Sequence, residues 1–178
     1  YSWLIARSDT GVVDALCSLS STAPTMPANY DFKRLIGWFK RVGGTIVAFH
    51  TYETEGGGIE LLWDSPTLDV NLSGTLTTSR RTDAVKVPLN FSTIAKLNTV
   101  ITDTSTTQVW IYCPDQADLA PSATVAPLGN QLTTNTAGFT LEVHVRTSAA
   151  GLIAARATTA TVDLYAVSTL GFTWARRN

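Results

Sequence analysis

The 178 residues suit one domain, because two halves would each bury too small a core. Charged residues make up only 15 % of the chain, against about a quarter in ordinary soluble domains, so part of the surface is expected to lie under a partner chain. A net charge of −1 lacks the positive excess that a nucleic-acid surface requires.

Threonine, serine, alanine and valine fill the space that charges leave, and uncharged β-branched side chains suit half-buried strands better than helices. No run of about 18 apolar residues is present, so no membrane-spanning helix is expected. Tyr1-Ser2-Trp3-Leu4-Ile5 lacks the basic flank and cleavage pattern of a signal peptide. Without an initiating methionine, the chain reads as a C-terminal fragment or processed piece of a longer protein.

The dominant period is two. Residues 1–7 read as a strand, Ser8-Asp9-Thr10-Gly11 as a hairpin loop, and residues 12–20 as the returning strand. Residues 21–29, with Pro24 and Pro27, read as an extended crossing. A long strand over 32–42 is expected to turn at Gly43-Gly44 and pair with 45–54. His50 and Tyr52 share one face of that partner, where His50 reads as packed or hydrogen-bonded. After Glu55-Gly56-Gly57-Gly58, a strand over 59–64 is expected to close at Ser65-Pro66. Leu68, Val70 and Leu72 then alternate with polar residues.

Residues 84–91 alternate cleanly, with Pro88 pointing to an edge or a bulge. Residues 91–101 fit either a strand or a helical turn. Over 108–113, Val109, Ile111 and Cys113 point one way and Trp110 and Tyr112 the other. Residues 114–130 form the longest loop. Phe139, Leu141, Val143 and Val145 alternate with Thr140, Glu142, His144 and Arg146, which puts His144 on the surface. Strands over 162–167 and 172–176 complete the pattern. Roughly nine to twelve strands in one domain over 1–178 predict an all-β, jelly-roll-like β-sandwich.

Chemical motifs are scarce. There is no nucleophile elbow, P-loop or dinucleotide fingerprint, and Gly56-Gly57-Gly58 precedes a strand. Cys17 and Cys113 read as buried thiols or one disulfide, and no zinc-type spacing exists. Asp115 and Asp118 lack the spacing of an EF-hand. No cofactor or metal is therefore expected. Glu53, Glu55, Glu60, Asp64 and Asp69 cluster in sequence, which invites a glycosidase pair whose spacing the sequence does not fix. Arg80-Arg81 and Arg176-Arg177 read as a solvated turn and a solvated terminus. Of Trp3, Trp38, Trp63, Trp110 and Trp174, each reads first as core. Trp110 and Tyr112, opposite an apolar face, fit a second core layer, a subunit interface or an exposed platform.

Several segments together resemble a domain of tailed-bacteriophage virion appendages, the tail-fibre and head- or tail-spike type that includes gene-transfer-agent head spikes. They are Arg7-Ser8-Asp9-Thr10-Gly11-Val12-Val13-Asp14, Pro27-Ala28-Asn29-Tyr30, Lys33-Arg34-Leu35-Ile36-Gly37, Phe49, Pro114-Asp115-Gln116 and Thr169-Leu170-Gly171-Phe172. In that family a Pro-x-x-Tyr loop and a basic pair before Ile-Gly open a long hairpin. A Gly-Trp ending is common there, and Phe172 departs from it. The resemblance implies a non-enzymatic domain on the virion surface, assembled in the bacterial cytoplasm. Its implied partners are a host cell-surface polysaccharide, other virion proteins and further copies of itself, with no nucleic acid and no membrane insertion.

Three functions compete: an attachment module, a purely structural spike or decoration domain, and a glycan-degrading domain. For bound sugar, residue chemistry and nearness to loops single out Trp63, Trp110, Tyr112 and Asp115.

Overall fold

A computed structural model describes residues 1–120, 130–134 and 138–175, with the backbone alone described for 130–134. Arg176 and Arg177, and residues 121–129 of the long loop, lie outside the described residues. Among the described residues there is no helix, and the protein is an all-β sandwich. Its contacts fall into two compact units, Tyr1–Ala48 and Phe49–Trp174, where the sequence suggests one domain.

The first unit is built on β1 (Ser2–Ala6), β2 (Val13–Cys17) and β3 (Phe32–Gly37), antiparallel in the order β2-β1-β3. The β1–β2 hairpin forms as expected, closed by Arg7 N–H to the Val12 carbonyl at 2.9 Å. Trp3 and Ile5 are buried on one face, and Trp3 Nε1 donates to the Ser20 carbonyl at 3.2 Å. The long strand expected over 32–42 is broken. β3 pairs with β1, and its ladder ends at a register shift opposite Ser2 and Trp3. Only the short β4 (Arg41–Val42) and β5 (Thr45–Ile46) form the hairpin at Gly43-Gly44. Both glycines there have positive φ, 56° and 86°, which side chains disfavour.

The second unit holds two antiparallel sheets. The five-stranded sheet runs β12 (Phe139–Arg146), β9 (Ile94–Thr102), β14 (Val162–Ala175), β7 (Gly58–Leu76) and β6 (Phe49–Thr54). The four-stranded sheet runs β11 (Asn130–Thr134), β10 (Thr107–Tyr112), β13 (Leu152–Ala157) and β8 (Arg81–Ala84). The two sheets thus hold five and four strands.

Burial along β9 alternates without a fault: Ala95, Leu97, Thr99 and Ile101 turn inward, and Lys96 and Asn98 turn outward. Tyr165, Val167 and Phe172 of β14 join this core. The inward set of β14 changes parity between Val167 and Phe172, because the register shifts at Thr169/Gly171. That bulge lets two segments expected as separate strands run as one. Gly171 sits where β7 comes closest, and a Cβ there would collide with the Leu61 carbonyl oxygen.

Other expectations are corrected. β7 continues through Ser65-Pro66, where residues 64–68 are exposed and Pro66 has little inner ladder to interrupt. Residues 85–91 form no strand. Val85, Lys86, Val87 and Pro88 are all buried, and Val85 N–H donates to the Gly151 carbonyl at 3.0 Å. Lys86 N–H donates to Thr169 Oγ1 at 3.1 Å, so these donors are satisfied without a ladder. β13, an alanine-rich run without period two, is a central strand buried on both faces. Both cysteines are free thiols, and Cys17 is exposed while Cys113 is buried. Arg80 and Arg81 are half-buried, and Arg81 Nε meets Asp83 at 2.7 Å.

Two of the buried polar atoms left without a hydrogen bond among the described residues lie close together in this unit. Asp83 Oδ2 and the fully buried Tyr165 hydroxyl make no hydrogen bond. Burial, with the Asp83 charge nearby, pushes the Tyr165 hydroxyl well above its ordinary pKa. Two expectations for equilibrium denaturation follow. Tyr165→Phe removes an unsatisfied donor, so it leaves stability unchanged or raises it by up to about 1 kcal/mol. Gly171→Ala forces β7 away from β14 and costs more than about 2 kcal/mol.

Candidate functional site

The structure does not gather Trp63, Trp110, Tyr112 and Asp115 into one place. Trp63 of β7 is 4 % exposed and packs edge-on against Phe49, at 6.4 Å between centroids, and against Phe172 at 6.5 Å. Its Nε1 donates to the Lys86 carbonyl at 3.2 Å, and Lys86 Nζ lies 4.5 Å over its ring. Trp110 and Tyr112 are fully buried and cluster with Ala154. Of the three placements open to them, they take the second core layer, on the face of β10 opposite Val109 and Ile111. None of these three rings offers an open face for a sugar to stack on. Asp115 alone is exposed, in the turn closed by Gln116 N–H to the Cys113 carbonyl at 3.1 Å.

That second layer is clamped from outside. Tyr112 OH donates to Asp118 Oδ1 at 2.9 Å, and Arg156 Nη1 donates to the same oxygen at 2.8 Å. Arg80 lies 5.7 Å over the Tyr112 ring and donates to the Pro114 carbonyl. Burial works to raise the Asp118 carboxyl, but the bonds from Tyr112 and Arg156 outweigh it and hold the carboxyl below its usual range. This cluster is structural: it folds the segment after β10 back over Tyr112.

The accessible polar surface is the outer face of the five-stranded sheet. Pairing places His144 opposite Lys96, Lys96 opposite Gly171, and Tyr52 opposite Glu60. Opposed residues share a face, so these positions form one row across all five strands. Lys96 Nζ meets Glu60 Oε1 at 2.6 Å although β14 lies between their strands. Glu60, working against burial, holds Lys96 above its usual pKa. Glu142 extends the row, 3.9 Å from Lys96 and 3.0 Å from His144 Nε2. Tyr52 is 52 % exposed at the other end. Beside it His50, read from sequence as packed or hydrogen-bonded, is exposed and bonds to Asp64 at 3.3 Å.

Chemically, the row offers an ammonium, two carboxylates, an imidazole and an aromatic ring on one rigid surface. Of the acids that suggested a glycosidase, Glu60 is bonded to Lys96 and Asp64 to His50. Asp69 accepts from Thr169 N–H at 3.2 Å and from its hydroxyl, so it serves the sandwich. Lys96, Tyr52 and Glu142 carry no motif, and only the strand register brings them together.

The Tyr112 hydroxyl is pushed up to about 12, first by burial and then by its bond to Asp118. A phenol raised in the fold stabilises it fully below the ordinary value of 10.0, and that contribution is lost as pH rises through about 12. Asp118→Asn is expected to lower this pKa, and ultraviolet titration of the tyrosines reads the change. An unmoved alkaline titration would show that the clamp does not hold the phenol.

Compared with known proteins, the chain matches no protein-family model, no curated protein and no solved structure.

Proposed function

We propose that this protein is a surface domain of a phage-like virion that attaches to a host cell-surface glycan. On this reading the polymer lies on the outer face of the five-stranded sheet, along the row from His144 to Tyr52. The motif resemblance suggests the setting. The observation that carries the binding reading is the row itself, with Lys96 bonded to Glu60 over Gly171 and Tyr52 exposed beside them. A tyrosine ring suits the C–H face of a sugar. Charged side chains already locked to one another lose little rotamer freedom when they bind hydroxyls. Because the ammonium and carboxylate nearly cancel, the surface suits hydroxyl-rich chains better than strongly anionic ones.

A structural role without a ligand is the second reading. What favours it is the amount of apolar surface that the first unit leaves exposed, including Val13 and Phe32.

The test is binding of the purified chain to a panel of bacterial surface polysaccharides and to intact cells. Saturable binding to one polysaccharide without shortening of the polymer is expected. Tyr52→Ala and Lys96→Ala should each weaken it about tenfold, or about 1.4 kcal/mol. Trp110→Phe, in the buried layer, should leave it unchanged. Absence of binding by a folded sample would move the assignment to the structural role, and shortening of the polymer would move it to hydrolysis.

A further inference from the structure

The two units carry charge of opposite sign. Residues 1–48 hold five basic and three acidic side chains, whereas residues 49–174 hold six basic and eleven acidic. The acids of the first unit are already engaged. Arg7 Nη2 meets Asp9 at 2.7 Å, Ser8 N–H donates to Asp31 at 2.9 Å, and Ala15 N–H donates to Asp14 at 2.7 Å. Among the described residues, Lys33, Arg34, Lys40 and Arg41 make no ion pair. An anion approaching this unit therefore meets uncompensated positive charge.

One of those cations lines a hollow. At the end of the three-stranded sheet, where Ser2 pairs with Cys17 and Gly37, a space of about 340 Å³ is walled by Tyr1, Cys17, Ser18, Leu19, Phe39 and Arg41. The Gly44 carbonyl accepts from Arg41 Nε at 3.2 Å and from Nη2 at 2.8 Å. A guanidinium carries five N–H groups in a rigid planar fork. Gly44 takes the edge formed by Nε and Nη2, and so fixes the plane of the group. The parallel N–H pair of Nη1 and Nη2 is left for a carboxylate, which matches it with two bonds.

We propose that this hollow binds an acidic sugar, one hexuronate ring, with its carboxylate on the free edge of Arg41. The site lies within the first unit and does not depend on the row of the second. Phe39 and Tyr1 supply the aromatic surface that suits the C–H face of a sugar ring. Ser18 Oγ accepts from Ser20 N–H at 3.1 Å, which leaves its own proton for a ring hydroxyl. Ligand sites run from about 300 to about 1,000 Å³, so a hollow of this size takes a single ring. Arg41 is the one cationic side chain in the wall. Two parallel donors saturate a carboxylate but leave the third oxygen and second charge of a phosphate unmatched.

Cys17 reports occupancy, because its exposed thiol stands in the same wall. The test follows alkylation of Cys17 by iodoacetamide on the whole chain, read by mass spectrometry, in rising sodium glucuronate at constant ionic strength. Saturable slowing is expected, with a midpoint of about 1 mM. Glucose, which lacks the carboxylate, glucose 6-phosphate and benzoate, which lacks the hydroxyls, should each be weaker by about tenfold or more. Arg41→Lys keeps the charge but gives up the paired donors, and should raise the glucuronate midpoint about tenfold. Arg34→Gln removes a cation that does not line the hollow, and should leave the midpoint unchanged. Absence of slowing by glucuronate overturns the proposal. So does equal slowing by glucose, glucose 6-phosphate or benzoate, comparisons that need no variant to fold, and so does a midpoint that Arg41→Lys leaves unmoved.

Discussion

The close approach of β7 to β14 at Gly171 governs more of this molecule than any other contact. The Leu61 carbonyl occupies the space where a side chain at position 171 would begin. The register shift at the same point changes which residues of β14 turn inward, and so delivers Phe172 to the ring of Trp63. The Lys96–Glu60 bond spans the same strand, from β9 to β7. One glycine thus sets the spacing of β7 and β14, on which both the core and the candidate binding row depend.

The four-stranded sheet is stabilised differently. Its central strands are buried on both faces, so its second face needs a cover. The cover described is polar: Asp118 held by Tyr112 and Arg156, with Arg80 stacked on the ring. Charge-assisted bonds to a half-buried carboxylate are stronger than neutral ones. This explains why Trp110 and Tyr112, which alternate like surface aromatics, are not surface residues at all.

Period-two patterning located most of the strands, and glycine chemistry located the hairpins at Gly11, Gly43-Gly44 and Gly56-Gly57. Three kinds of feature escaped it, each for a physical reason. β13 is buried on both faces, and its alanines therefore show no alternation. Residues 85–88 alternate in sequence but satisfy their backbone through Gly151 and Thr169, contacts too distant in the chain to foresee. The row on the outer sheet draws one or two residues from each of five strands, and register alone assembles it. Aromatic residues near loops were a poor guide because ring burial depends on what covers the sheet. His50 takes the hydrogen-bonded of its two readings, with a partner, Asp64, that lies fourteen residues away in the chain.

The two thiols differ in a way that reaches beyond packing. Cys17 stands exposed in the first unit and Cys113 lies buried in the second. Alkylation of Cys17 in the single chain proceeds from the folded state, whereas Cys113 must wait for its surroundings to open. The protein thus carries one chemical reporter in each unit, without any label being added. The rate at Cys113 measures how often the sandwich opens.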